Sequence, residues 1–189
     1  MTKSELRKKY LMQRTLLTDD DYRTACDSIA ARFFREVDLS DVRVVHSYLP
    51  IEKNKEPDTW LIVNVIQEQY PEIRISIPKI NPDGTMTSYY YEGTHQLEES
   101  PFGIPEPTHG EITSPEDIDI LIVPLLVFDQ NGYRVGYGKG FYDRFLMQCK
   151  STSVRVGLSL FPPEEHIDDI AEFDQRMNLV ITPEQVYRF

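Results

Sequence analysis

The residues most able to do chemistry are gathered in one stretch, "DQNGYRVGYGKGFYDRFL", residues 129–146. It holds four of the nine glycines, Gly132, Gly136, Gly138 and Gly140, with Arg134 and Lys139 among them and Asp143 just beyond. Glycine loses more conformational freedom on folding than any other residue, so a cluster of it calls for a reason. Bare backbone amides leading into a helix make a concavity that suits an anion. Arg134 and Lys139 add positive charge, and Asp143 is a hard oxygen ligand of the kind Mg²⁺ takes beside a phosphate. Two familiar phosphate motifs are excluded. A P-loop would need glycine at Tyr133 and Ser or Thr at Gly140; a dinucleotide fingerprint would need glycine at Phe141 or at Asp143. The same residues also fit a plain glycine-rich turn, with a solvated lysine and an aspartate that favours the helix dipole.

The elements around this stretch alternate. "TKSE" (2–5) has capping-box spacing and predicts a helix to about Leu17. "TDDDY" starts a second helix that runs to about Val37. "VRVVHSYL" (42–49) reads as a strand, residues 58–70 as a helix with Asp58 as a possible N-cap, and "IRISI" (73–77) as a strand. "IDILIVPLLVF" (118–128) is a near-continuous apolar run, as in a strand buried on both faces of a parallel sheet. A helix over 141–149, a strand at 154–160, a short helix near 163–166 and a last strand at 178–181 complete the pattern. Alternation of this kind implies an α/β domain with a mainly parallel sheet, here one domain over 1–189. In such sheets ligands bind beyond the carboxyl ends of the strands, where the glycine loop must lie.

Composition narrows the function classes. A net charge of −11 opposes wholesale binding to a nucleic-acid backbone, though not a local cationic pocket. The longest apolar run is too short to span a bilayer and carries Asp119 and Pro124. The N-terminus is charged, without the apolar core of a signal peptide, and Cys26 and Cys149 form no metal-ligand spacing. A cytoplasmic protein with reduced thiols, not membrane-bound and monomeric, is expected.

Residues 119–143 resemble the signature of the 5-formyltetrahydrofolate cyclo-ligases, also called 5,10-methenyltetrahydrofolate synthetases. Asp119, Pro124, Phe128, Asp129, Gly132, Arg134, Gly136, Gly138, Gly140, Tyr142 and Asp143 fall on its pattern; Leu125 stands for a usual glycine and Val135 for a usual leucine. "KSELR" (3–7), "YLPIEKNKEPDT" (48–59), "IPK" (77–79) and "FGIPEP" (102–107) resemble further family segments.

The resemblance implies a three-layer α/β/α Rossmann-like sandwich, similar to the isomerase and CoA-transferase-like fold. It also implies a reaction: 5-formyltetrahydrofolate and ATP give 5,10-methenyltetrahydrofolate, ADP and phosphate, with Mg²⁺. Carried onto this sequence, Lys3, Arg7, Arg134, Gly136, Tyr137, Gly138, Lys139, Gly140, Phe141 and Tyr142 would meet ATP. Lys139, Arg134 and Tyr142 would act on the reacting groups, and Asp143 and Asp174 would hold the metal. Glu56, with Glu52 as the alternative, would bind the folate together with Phe102 and residues 137–141. Without the resemblance, Lys3 and Arg7 read as a solvated helix face and Glu56 as a loop carboxylate. His46 reads as structural, and Tyr89, Tyr90 and Tyr91 as strand packing. A folate- or nucleotide-binding protein without catalysis and a sugar-phosphate isomerase are the competing functions.

Overall fold

The computed structural model describes residues 1–100 and 103–189. In chain order its elements are α1 (Lys3–Leu16), α2 (Asp19–Glu36), β1 (Val44–Ser47), α3 (Trp60–Gln69), β2 (Arg74–Ile80), β3 (Met86–Tyr90), β4 (Leu97–Glu99) and β5 (Pro105–Pro107). After these come β6 (Ile120–Val123), β7 (Val127–Phe128), β8 (Arg134–Val135), α4 (Phe141–Leu146), β9 (Val154–Leu158), β10 (Leu179–Ile181) and β11 (Val186–Arg188). Seven strands form one sheet in the order β11-β10-β9-β6-β1-β2-β3. The five inner strands are parallel and the two edge strands antiparallel.

Both faces of the inner strands are covered, which is why β6 is apolar throughout and β1, Val-Val-His-Ser, is buried along its whole length. Val45, Ile120 and Ile122 pack with α2 and α3 on one face. Val44, Leu121 and Val123 pack on the other with Phe145 and Leu146 of α4. The fold is thus α/β, with helices flanking a mostly parallel mixed sheet. Among the described residues, no helix is long and apolar enough to cross a membrane.

Several local expectations change. The run 118–128 is not one strand: Pro124 cannot donate to a ladder, so β6 stops before it. The chain then makes a separate two-stranded ribbon, β7 with β8. Gly132 belongs to the turn of this ribbon (φ 84°), where an added Cβ would stand 2.6 Å from the Phe189 ring. Asp58 is not the N-cap of α3. Thr59 takes that place, with its hydroxyl donating to Tyr48 O (2.7 Å), while Asp58 accepts from Trp60 N. No helix forms at 163–166, because Glu164 bonds through its backbone to Phe128 and Gln130 beside the ribbon. α4 ends at Leu146, and β11 pairs antiparallel with β10 where no further strand was expected.

Asp119, part of the signature, works at the opposite end of the sheet from the glycine loop. Its carboxylate accepts from Arg43 N (2.8 Å) and Val44 N (3.0 Å) and pairs with Lys150 (2.5 Å). It fastens the start of β1 beside the start of β6.

Candidate active site

Beyond the carboxyl ends of β1, β2 and β6 lies a cleft of about 500 Å³. Lys3, Arg7, Glu56, Arg134, residues 136–143 and Asp174 all line it, so nearly every site residue expected from the sequence meets here. Phe102 lies outside the described residues. Glu52 sits exposed on the short turn Glu52–Asn54 and lines a neighbouring hollow with Trp60 and Glu98 instead.

α1 delivers the first cations. Thr2 and Glu5 close the capping box, which fixes the helix start and places Lys3 and Arg7 one turn apart on one face. Arg7 Nε donates to Gly136 O (2.7 Å), and its guanidinium lies against Gly138. Gly138 has φ 86°, and an added Cβ would stand 3.0 Å from Arg7 Cζ, so both conformation and space require glycine. Gly140, at φ 67°, turns the chain into α4. Arg144 braces this turn by donating to Lys139 O (3.3 Å) and to Gly84 O in the β2–β3 hairpin (2.8 Å). The Lys139 ammonium is exposed and pairs with no carboxylate among the described residues.

Two ion pairs sit beside the loop. Arg134 is 8% exposed; it donates to Asp143 Oδ1 (2.8 Å) and Gln175 O (2.9 Å). Burial pulls its pKa down, and the Asp143 charge opposes that. Lys3 Nζ pairs with Asp174 Oδ2, which also accepts from Ala171 N (2.6 Å). Each candidate metal carboxylate therefore has a cation of the site as its partner. Among the described residues no three His, Cys, Asp or Glu could hold a metal by themselves. Two carboxylates along one cleft fit a Mg²⁺ that takes its remaining ligands from phosphate oxygens and water.

The other end of the cleft holds a buried carboxylate. Glu56 is 3% exposed, and its Oε2 accepts from Ile51 N (2.6 Å). Burial raises its pKa, against the hydrogen bonds from Ile51 and Tyr137 and the charge of Arg14. Tyr48, Ile80, Ile104, Pro105, half-buried Glu106 and the polar Lys53 and Asn54 also line the cleft. Tyr142 is held from behind: its hydroxyl lies 3.2 Å from His46 Nε2, and His46 Nδ1 lies 3.4 Å from both Ser76 Oγ and Ser88 Oγ. Burial pushes His46 down to about 3, so its imidazole is neutral. The tyrosines 89–91 stay out of the cleft lining; Tyr90 stacks under Arg74 and Tyr91 packs on Trp60.

Sequence reasoning missed Tyr48, Glu106 and Arg14. The first two stand inside quoted segments, "YLPIEKNKEPDT" and "FGIPEP". Arg14 carried no signal, being one more base on a charged helix.

The model of the 5-formyltetrahydrofolate cyclo-ligase family matches residues 1–183. The chain belongs to this family. Its cyclo-ligase relatives include the probable 5-formyltetrahydrofolate cyclo-ligase of Schizosaccharomyces pombe, 31% identical over 152 residues that cover 71% of this chain and 72% of that one. The Mycoplasma pneumoniae cyclo-ligase is 35% identical over 71 residues, a match spanning 37% of this chain and 42% of the relative. Among solved structures, the Aquifex aeolicus 5,10-methenyltetrahydrofolate synthetase superposes with a TM-score of 0.82 at 30% identity, covering 100% of this chain and 93% of that one.

Proposed function

We propose that this cyclo-ligase family member converts 5-formyltetrahydrofolate to 5,10-methenyltetrahydrofolate at the expense of ATP. The observation that carries the reading is the division of one cleft into a cation-rich, glycine-walled end and an end closed by a buried glutamate. The first suits a triphosphate and the second a flat, hydrogen-bonding ring system.

A formamide carbon is a poor electrophile, and its oxygen is a poor leaving group. Transfer of the γ-phosphoryl forms an O–P bond at the formyl oxygen and breaks the P–O bond to ADP. N10 of the same molecule then attacks the activated carbon, the C–O bond breaks, and inorganic phosphate departs. N10 gives up its proton, and the product keeps the positive charge of the methenyl bridge. The protein's share is positioning and charge stabilisation.

Lys139, free of any carboxylate, meets the phosphoryl group in flight. Arg7, Lys3 and the amides of residues 136–141 hold the triphosphate, and Arg134 keeps Asp143 in place. Asp143 and Asp174 would hold a Mg²⁺ that neutralises charge on the phosphates. Tyr142, a neutral phenol backed by His46, offers a hydrogen bond where the two substrates meet. Glu56 accepts hydrogen bonds from the pterin, flanked by Tyr137; the family resemblance alone assigns Phe102 to the folate. A monomer working in the cytoplasm is part of the proposal; the two free cysteines, Cys26 and Cys149, are in keeping with a reducing compartment.

Near-UV absorbance of the methenyl product tests the reading, with 5-formyltetrahydrofolate, ATP and Mg²⁺ mixed and each omitted in turn. A rise that needs all three supports it. Binding of both substrates without a rise would leave a protein that only sequesters them.

A further inference from the structure

Arg14, on the last turn of α1, is 1% exposed and among the largest fully buried side chains of the described residues. An arginine hidden this way is costly unless its charge is answered. Among the described residues no carboxylate lies within ion-pair distance, and its Nε has no hydrogen-bond partner. Nη2 donates to Leu125 O (2.6 Å), at the exit of β6, and Nη1 donates to the Tyr137 hydroxyl (3.1 Å).

Arginine has donors only, so at that contact the Tyr137 oxygen must accept. Asn54 also bonds this hydroxyl, as a donor, so the phenolic proton is left for Glu56, the acceptor side chain it meets. The chain of bonds runs one way: Arg14 to Tyr137 to Glu56. It starts on the helix that carries Lys3 and Arg7, passes through the glycine loop, and ends on the buried carboxylate of the cleft. With Ile51 N and Tyr137 on Glu56, its remaining acceptor capacity faces the cleft.

We propose that Arg14 is a positioning residue that holds Tyr137 and Glu56 as one unit, keeping the Glu56 carboxylate charged and oriented to receive the substrate's N–H groups. This rests on the functional reading above for what enters the cleft, but not for the linkage itself. The groups facing Glu56 are Arg14 from α1, Tyr22 from α2, whose hydroxyl donates to Glu56 O (2.7 Å), Tyr48 after β1, Tyr137 of the loop and Tyr142 of α4. All but Arg14 are phenols that burial keeps neutral, so the compensating charge is that of Arg14.

The test compares Arg14→Met, Arg14→Lys, Glu56→Gln and the Arg14→Met/Glu56→Gln double variant. A carbon-13 NMR titration of the Glu56 carboxyl, on the full chain without substrates, should move to higher pH in Arg14→Met by about one unit. In turnover, Arg14→Met should raise KM for 5-formyltetrahydrofolate about tenfold near pH 7, equivalent to about 1.4 kcal/mol. That loss should shrink as pH rises and Glu56 regains its charge. The pH dependence should vanish in the double variant, and Arg14→Lys should fall between wild type and Arg14→Met.

An unmoved Glu56 titration in folded Arg14→Met would overturn the proposal, as would the same KM–pH profile with and without Glu56. If Arg14→Met does not fold, Arg14→Lys decides: neither the titration nor KM moving would reject it. A wild-type protein that binds 5-formyltetrahydrofolate but never turns it over would defeat the functional reading, and the NMR result would still judge Arg14.

Discussion

At the glycine-loop end of the cleft, charge is plentiful and already matched, Arg134 with Asp143 and Lys3 with Asp174, while Lys139 stands exposed beside them. At the other end the carboxylate of Glu56 is buried, with half-buried Glu106 nearby, and is answered by Ile51 N, by Tyr137 and by the charge of Arg14. The first arrangement tolerates water and suits phosphates by field and by backbone amides. The second gains hydrogen-bond strength from a low local dielectric, and its cost is a charge held where it is disfavoured. The two ends should therefore respond oppositely to mutation: loss at the loop end should fall on turnover, loss at the Glu56 end on substrate affinity and pH.

The largest effect should come from Lys139→Ala. Removing the exposed ammonium that the proposed function sets against the phosphoryl group should cut turnover by about 10³-fold. Because its side chain is exposed and makes no ion pair, the melting temperature should not move. Turnover within tenfold of wild type would take Lys139 out of the chemistry.

Asp143→Asn comes next and separates the loop's two duties. Turnover should fall by about 10²-fold and need more Mg²⁺ for half-saturation. Unlike Lys139→Ala it should also cost stability, on the order of 3 kcal/mol, because Arg134 would be left buried without its countercharge. Equal melting curves for the two variants would show that the Arg134–Asp143 pair carries no structural weight.

That contrast also marks what sequence can and cannot disclose. Gly138, Gly140 and Lys139 were legible because backbone conformation restricts residue type: only glycine sits easily at positive φ, and the spacing between glycines is local information. The alternation of strands and helices was legible for the same reason. Pro124 was visible too, but an apolar run reads as one strand until the chemistry of its proline is taken seriously. The pairings were not legible. Arg134 and Asp143 lie nine positions apart on different elements, and nothing in their types says that they will spend their charge on each other. Arg14 looked like any solvated base on a charged helix, and only the packing of α1 against residues 125 and 137 makes it buried. Thr59 stands at the helix start in place of Asp58, with its hydroxyl donated to the Tyr48 carbonyl eleven residues back.

A third variant, Glu56→Gln, probes the other end. Burial raises the Glu56 pKa above its unfolded value, so the fold favours the protonated form, and the ionised form is a cost once pH exceeds the folded-state pKa. Glutamine removes that cost. Its melting temperature should exceed wild type near pH 8 and converge with it at pH 4, while KM for 5-formyltetrahydrofolate rises about tenfold and kcat changes little. A variant less stable than wild type at pH 8 would mean that Glu56 is held by its partners more strongly than burial penalises it, and the two ends would no longer differ in kind.

The smallest effect on turnover at neutral pH should come from His46→Gln, which touches neither substrate and only loosens the hydroxyl of Tyr142. Its signature lies in acid stability. The buried imidazole titrates at about 3 instead of its ordinary 6.5, so the stability it contributes is complete above 6.5. As pH falls from 6.5 towards 3, the unfolded chain takes up a proton that the folded chain refuses, and that stability drains away. Urea midpoints measured across this window should fall less steeply for His46→Gln than for wild type, since glutamine has no proton to take. Parallel slopes would mean that His46 is solvated enough to ionise in place, and Tyr142 would then rest on an imidazolium and not on the neutral ring proposed for it.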